Sequence, residues 1–141
     1  MHLVKDPGTY RFAPHTGEVL LRVGARDVPG LFVEAASALA ELQAGASLPK
    51  LLDRSDVVEL EAPDVEALLV AWLDELIYLG DVHGHVYTRF DLERCTTSSL
   101  RAVVFGGVPG ELRTQVKAAT FHRLRVDASG PRCSAELVLD V

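Results

Sequence analysis

Two acidic positions at opposite ends of the chain are the first candidates for chemistry. Glu18 follows a loop that contains His15, and Asp140 stands beside Val141, whose main-chain carboxylate adds another negative charge. If folding brought these carboxylates to about 4 Å from one another, each like-charge pair would cost about 4 kcal/mol at an effective dielectric constant near 20. A cluster of this kind needs a cation or a proton.

The chemistry of the ligands predicts which cation such a cluster would take. Carboxylate oxygens suit the hard cations Mg²⁺, Ca²⁺ and Mn²⁺, whereas zinc more often takes thiolate or imidazole. From spacing alone, an alternative stays open: Glu18 and Asp140 are ordinary solvated carboxylates, as most acidic residues are.

A third candidate is the apolar run at residues 116–122, which Lys117 and His122 interrupt. The ammonium group of Lys117 is a point charge that can hold a phosphate or a carboxylate. The imidazole of His122 can ligate a metal or carry a proton. The alternative is structural, because side chains alternate between faces along a strand. On that interpretation Lys117 lies on a solvated face and His122 packs at a strand end.

Two amphipathic helices are predicted between these positions. Asp27 is a candidate N-cap for the first helix, which should end near Gly45, and Asp64 is a candidate N-cap for the second. Glu66 favours the positive end of the second helix, and Gly80 should mark its stop near residues 79–80. Apolar residues recur at three- and four-residue steps on both helices. They are Leu31, Phe32, Ala35, Ala36, Leu39 and Leu42 in the first helix, and Leu68, Leu69, Trp72, Leu73, Leu76 and Ile77 in the second.

The rest of the chain predicts short strands separated by turns that contain Gly or Pro. The predicted strands are residues 9–12, 19–23, 57–60, 86–92, 100–105, 116–120, 124–126 and 133–139. With a hydrophobic share of 48%, the 141 residues suffice for one core, which buries roughly 68–70% of the unfolded surface. We therefore expect an α+β fold: a single domain over residues 1–141, with a mainly antiparallel or mixed sheet and the two amphipathic helices packed on it.

Composition narrows the classes of function. The formal net charge is −6 and the pI is about 5.3, so we expect no direct nucleic-acid binding, which requires a dense basic patch. No apolar stretch approaches the length of a membrane span and no secretory signal is visible. Cys95 and Cys133 lack the spacing of a zinc site, and we predict that both are reduced and structural. We expect a soluble cytoplasmic protein.

These motifs resemble those of the archease family. Residues 12–19, Phe-Ala-Pro-His-Thr-Gly-Glu-Val, resemble an opening in which a His-Thr-Ala-Asp stretch follows an aromatic residue. Residues 64–77 look like the second helix of the family, and residues 116–122, Val-Lys-Ala-Ala-Thr-Phe-His, are similar to its Val-Lys-Ala-x-Thr-Tyr-His strand. With the terminal Asp140 and Val141, the resemblance runs in collinear order over nearly the whole chain.

The resemblance implies a site and a partner. The metal ligands of the family fall here on Glu18, Asp140 and the carboxylate of Val141, and the implied cofactor is a divalent ion: Ca²⁺, Mg²⁺ or Mn²⁺. His15, Lys117 and His122 would line the surroundings of that ion. The implied function is an accessory protein rather than an enzyme, one that promotes guanylylation and multiple turnover of the GTP-dependent tRNA-splicing RNA ligase. The oligomeric state stays open.

The sequence also departs from the family pattern. Glu18 stands where the family usually has Asp, Gly17 where it has Ala and Phe121 where it often has Tyr, and Arg123 follows His122. One extra methylene shifts the Glu18 carboxylate by more than about 1 Å, which strict Mg²⁺ geometry tolerates less well than flexible Ca²⁺ coordination.

Two other functions therefore stay open. One is a diverged archease-like scaffold or chaperone-type binding module that has lost strict metal geometry. The other is a small metal-dependent hydrolase, in which Glu18 or His122 would act as general base on a metal-bound water. The sequence contains no nucleophile elbow and no phosphate-cradling glycine loop to support the hydrolase.

Overall fold

The computed structural model describes residues 8–15 and 17–141, apart from the side chains of Pro14 and His15. Two α-helices are present, α1 (Val28–Ala44) and α2 (Val65–His83), and a single 3₁₀ turn (Gly45–Ser47) follows α1. The strands are β1 (Thr9–His15), β2 (Glu18–Ala25), β3 (Arg54–Glu61), β4 (Val86–Cys95), β5 (Ser99–Gly107), β6 (Ala118–Asp127) and β7 (Cys133–Asp140).

The strands form two antiparallel sheets. One has the order β1-β2-β7-β6 and the other the order β3-β5-β4. Both helices contact both sheets, α1 through β2 and β4, and α2 through β6 and β3. The α+β class is confirmed. The strands divide into two sheets because the helix pair offers an apolar surface to each sheet. In α1 the consecutive residues Ala38, Leu39 and Ala40 are all buried. At about 100° per residue these three side chains span roughly 200° of the helix circumference.

The core lies between the helices and the inner faces of the sheets. Trp72 and Phe32 are its largest fully buried side chains. The indole N–H of Trp72 donates a hydrogen bond of 3.0 Å to the carbonyl oxygen of Phe32, so that its polar group is satisfied inside the core. The predicted helix faces are buried as expected, except that Leu42 is only partly covered.

The predicted helix starts are confirmed, but the predicted end of α2 is wrong. Asp27 accepts a hydrogen bond of 2.8 Å from the N–H of Gly30, and Asp64 accepts one of 2.8 Å from the N–H of Ala67. The second helix continues past Gly80 to His83 and ends at Gly84, which has a left-handed φ of 67°. Gly80 serves close packing instead, because a Cβ there would lie 2.7 Å from the carbonyl oxygen of His85.

The segments predicted as two strands near residues 116–126 form the single strand β6, which contains a wide bulge. Thr120 pairs with Val138 and Arg125 pairs with Glu136 on β7. The four residues 121–124 therefore stand opposite Leu137 alone. Such an insertion ends regular pairing locally and redirects the side chains of the bulged residues.

The two cysteines, Cys95 and Cys133, are both free thiols, as predicted. Burial raises the pKa of Cys95 to about 11, which suits a structural role because a reactive cysteine needs its thiolate. No helix in residues 8–15 and 17–141 is long and apolar enough to cross a membrane.

Candidate functional site

The fold brings the two acidic side chains together at one end of the four-stranded sheet. Glu18 opens β2, Asp140 closes β7, and the two are direct cross-strand partners. Partners of this kind share a face of the sheet, with Cβ atoms about 4.5–5.5 Å apart. Leu139, next to Asp140, and Leu21, three residues from Glu18 along β2, belong to the core, and side chains alternate between the two faces along a strand. The acidic pair therefore lies on the face that points away from the helices.

Main-chain hydrogen bonds hold the end of β7 on both sides. The N–H of Val141 donates to the carbonyl oxygen of Gly17 at 3.1 Å, and the N–H of Lys117 donates to the carbonyl oxygen of Asp140 at 2.8 Å. The Val141 side chain packs against the core. These contacts fix the last two residues next to the β1–β2 hairpin, in which Gly17 adopts a φ of 74° that favours glycine.

His122 reaches the acidic pair from the bulge of β6. Its Nδ1 lies 3.6 Å from Oε2 of Glu18, whose side chain is 40% exposed. The N–H of His122 donates to Oγ1 of Thr120 at 3.3 Å, and the Thr120 hydroxyl donates to the carbonyl oxygen of Val138 at 3.1 Å. No other basic nitrogen in the described part of the chain lies within 4.0 Å of Glu18. Among the described side chains, His122 is therefore the basic group that lies beside Glu18.

The remaining predicted site residues stand around this pair. His15 pairs with Glu18 through the main chain of the β1–β2 hairpin, and its side chain lies outside the described part of the structure. Lys117 is exposed just before β6 and touches Asp140 through its main-chain N–H. The structure thus gathers Glu18, Asp140, Val141 and His122, while Lys117 is adjacent through its backbone.

The donor set limits the kind of metal that fits. Within residues 8–15 and 17–141, no group of three His, Cys, Asp or Glu side chains is arranged to hold a metal ion. Glu18 and Asp140 supply two side-chain carboxylates, one from each of two paired strands. An all-oxygen, half-exposed set fits a hard cation that keeps several waters, and it does not fit a closed zinc site.

Sequence reasoning missed Asp74, which fixes the strand beside the acidic pair. Its Oδ1 accepts a hydrogen bond of 2.7 Å from the N–H of Ala119. Burial raises the pKa of Asp74, and the hydrogen bond from Ala119 offsets only part of that rise. The sequence did contain a signal for this contact, because Asp74 lies next to the apolar stripe of α2. A carboxylate in that position becomes half-buried and then needs a hydrogen-bond partner.

Fold and site together define a small α+β protein that carries an acidic pair at the open end of a sheet. The model of the "Archease protein family (MTH1598/TM1083)" matches residues 10–141. The chain belongs to the archease family, which confirms the resemblance seen in the sequence.

Individual relatives and solved structures are similar to this chain over most of its length. Protein archease of Pyrobaculum neutrophilum is 33% identical, over 96% of this chain and 97% of its own. Protein archease of Methanopyrus kandleri is 30% identical, over 90% of this chain and 95% of its own. Among solved structures, protein 1598 of Methanobacterium thermoautotrophicum superposes with a TM-score of 0.68 at 21% identity, covering 94% of this chain and 98% of that one. An archease and possible chaperone from Thermotoga maritima gives a TM-score of 0.64 at 17% identity, with 100% coverage of both chains. These two likenesses concern the fold.

Proposed function

We propose that this protein is a cytoplasmic accessory factor that presents a divalent cation to a GTP-dependent tRNA-splicing RNA ligase and promotes its guanylylation and multiple turnover. Family membership supports an archease role, and the Thermotoga maritima neighbour, a possible chaperone, supports action on a protein partner. The observation that carries the proposal is the cross-strand pairing of Glu18 with Asp140.

In this proposal Glu18, Asp140 and the main-chain carboxylate of Val141 hold the ion. Directly opposed like charges destabilise a pair of strands, and a divalent cation removes that cost. His15, Lys117 and His122 would line the surroundings of the ion, which would be Ca²⁺, Mg²⁺ or Mn²⁺. When bound, the cation would neutralise negative charge that develops in a phosphoryl-transfer step such as guanylylation. The chain itself positions the ion and leaves the site half-exposed, so that a large partner can approach it.

Calorimetric titration tests the metal site. Wild type and Asp140→Asn are titrated with Ca²⁺, Mg²⁺ and Mn²⁺, and Asp91→Asn, an exposed carboxylate on the other sheet, is the matched control. We expect binding by wild type and by the control, and its loss in Asp140→Asn. Binding that survives in Asp140→Asn would contradict this ligand set.

A ligase assay tests the activating role. The purified protein is added to a cognate RNA ligase with GTP and limiting divalent metal, and both guanylylation and turnover are measured. We expect both to rise with wild type and with Asp91→Asn, but not with Asp140→Asn. Unchanged turnover with wild type would reject the activation.

A chaperone-type binding module is the second candidate, because the longer side chain of Glu18 is a departure that bears on metal geometry. It predicts a protein that binds and supports its partner with no dependence on metal or on Asp140. Equal stimulation of the ligase by wild type and Asp140→Asn at limiting divalent metal would favour this function.

A further inference from the structure

Arginines gather around one carboxylate on the same face of the four-stranded sheet as the acidic pair. Nε of Arg22 lies 2.9 Å from Oε1 of Glu136, and Nη2 of Arg123 lies 3.6 Å from Oε2. Arg125 is the cross-strand partner of Glu136 on β6. Glu136 is only 15% exposed, whereas Arg22 and Arg123 are more than half exposed. The carboxylate is thus covered by guanidinium groups of side chains that are themselves more than half exposed.

Arg11 on β1 extends this group of arginines across the sheet. Arg11 is exposed and is the direct cross-strand partner of Arg22. It makes no ion pair with the described residues. We define Arg11, Arg22, Arg123 and Arg125, together with Glu136, as the arginine stripe. Four cations and one anion give the stripe a net charge of +3 on a chain whose formal net charge is −6.

The stripe crosses the sheet beside the acidic pair. Arg22 is four residues along β2 from Glu18, which is about 13 Å in an extended strand. Two shallow depressions, of about 270 Å³ and 150 Å³, flank Arg22 on this face. Arg11 and Arg22 are like charges placed directly opposite each other, and of the two only Arg22 is paired with Glu136. The stripe therefore has surplus positive charge that can attract anionic groups.

The magnitude of the charge decides between two classes of anionic partner. A protein that binds nucleic acid commonly neutralises about 6–10 phosphates, whereas the stripe has a net surplus of three cations. A long polyanion would also meet the acidic pair on the same face. A short acidic segment of a folded protein needs only local charge, and guanidinium groups bind carboxylates with bidentate geometry. Arginine is also enriched in protein interfaces.

We propose that the arginine stripe docks an acidic surface segment of the protein partner and so sets the register in which the acidic pair meets that partner. That this partner is the RNA ligase rests on the proposed function. The stripe would raise the association rate and fix orientation, as complementary charges do in protein interfaces.

Binding measurements on the full chain test this docking. The stripe variant is Arg11→Gln/Arg125→Gln, which spares the two arginines nearest Glu136, and the matched control is Arg89→Gln/Arg94→Gln on the other sheet. A third variant, Glu136→Gln, raises the charge of the stripe. The probes are a cognate RNA ligase, a fluorescent oligo-aspartate peptide and a single-stranded oligoribonucleotide. Thermal unfolding midpoints verify that every variant folds.

At low salt we expect the stripe variant to bind the ligase and the peptide roughly tenfold more weakly than wild type does. At high salt the loss of affinity should be smaller, because salt screens the attraction between the arginines and the acidic groups. Glu136→Gln should bind both more tightly than wild type, and the control should match wild type. If wild type fails to activate the ligase yet binds the peptide through the stripe, the proposed function fails and the preference for acidic polypeptide is upheld. Docking is overturned if the stripe variant and the control bind the ligase equally, or if RNA binds through these arginines more tightly than the peptide does.

Discussion

The carboxylate of Asp74 on α2 accepts a hydrogen bond of 2.7 Å from the main-chain N–H of Ala119 on β6. The residue before it in the strand, Ala118, is the cross-strand partner of Asp140. One side chain of the helix layer therefore fixes the strand that borders the acidic pair. Because burial raises the pKa of Asp74, its ionised form is less favourable in the folded protein than in the unfolded chain.

This shift gives a pH-dependent prediction for Asp74→Asn. The pKa of Asp74 is higher in the folded protein than in the unfolded chain, so the folded protein binds this proton more tightly. Deprotonation of Asp74 therefore lowers the unfolding free energy, and this loss develops as the pH rises from the unfolded pKa through the higher folded pKa. Asparagine keeps an acceptor for the Ala119 N–H without the charge. We expect the thermal midpoint to rise at pH 7 by at most about 3 °C, since solvent screens a half-buried group. The gain should vanish below about pH 3.5, where Asp74 is protonated in both states; a gain that persists there would contradict this origin.

Glu18→Asp shortens the proposed metal ligand by one methylene and should change metal preference. The shorter side chain retracts the carboxylate by about 1 Å, which favours the strict geometry of Mg²⁺ over Ca²⁺. We expect the ratio of Mg²⁺ to Ca²⁺ affinity to rise roughly tenfold, a size that small displacements of a positioned group can produce. Calorimetric titration measures it, with Glu61→Asp on β3 as the control. An unchanged ratio would mean that Glu18 is not a ligand.

Thr120→Val should loosen the bulge that carries His122. The hydroxyl of Thr120 both donates to the carbonyl oxygen of Val138 and accepts from the N–H of His122. Removing it should lower the unfolding free energy by about 1–2 kcal/mol, because two polar groups lose a partner. Denaturant unfolding checks this, with Thr88→Val on β4 as the matched control. Equal stability of the two variants would show that the hydroxyl does not hold the bulge.

Metal should stabilise the fold if the acidic pair binds it. A ligand that binds only the folded state at a hundredfold excess over its Kd adds about 2.7 kcal/mol to the unfolding free energy. We expect Ca²⁺ or Mn²⁺ to raise the thermal midpoint by several degrees and a chelator to reverse the rise. Asp140→Asn should show no metal-dependent shift, whereas an equal shift in both proteins would point to binding elsewhere.

The sequence predicted the acidic pair because its evidence is local at both ends of the chain. Glu18 begins a strand beside a turn, and Asp140 ends an apolar strand, so each carboxylate belongs to a rigid element. The helix starts were predictable for the same reason, since Asp27 and Asp64 cap the turns that immediately follow them. The binding of metal at this pair stays a prediction.

The arginine stripe was not predicted because its members are distant in sequence and meet only through strand register. Arg22 and Glu136 are 114 residues apart, and Arg123 reaches the same carboxylate only because the bulge places it at a φ of 58°. A period-two pattern assumes regular pairing, which residues 121–124 break. The end of α2 was missed for a different reason, because its signal is local: Gly84, at a left-handed φ of 67°, ends the helix, and Gly80 inside the helix was mistaken for that stop.

The bulge has a further consequence for β6, which is the outermost strand on its side of the sheet. An exposed flat border offers a ladder of unpaired N–H and C=O groups to other chains. The inserted residues and the left-handed backbone of Arg123 interrupt that ladder, and Arg125 follows directly after the interruption. The same irregularity that aims His122 at Glu18 thus makes this border a poor template for strand addition, and it protects the protein from polymerising through its own sheet.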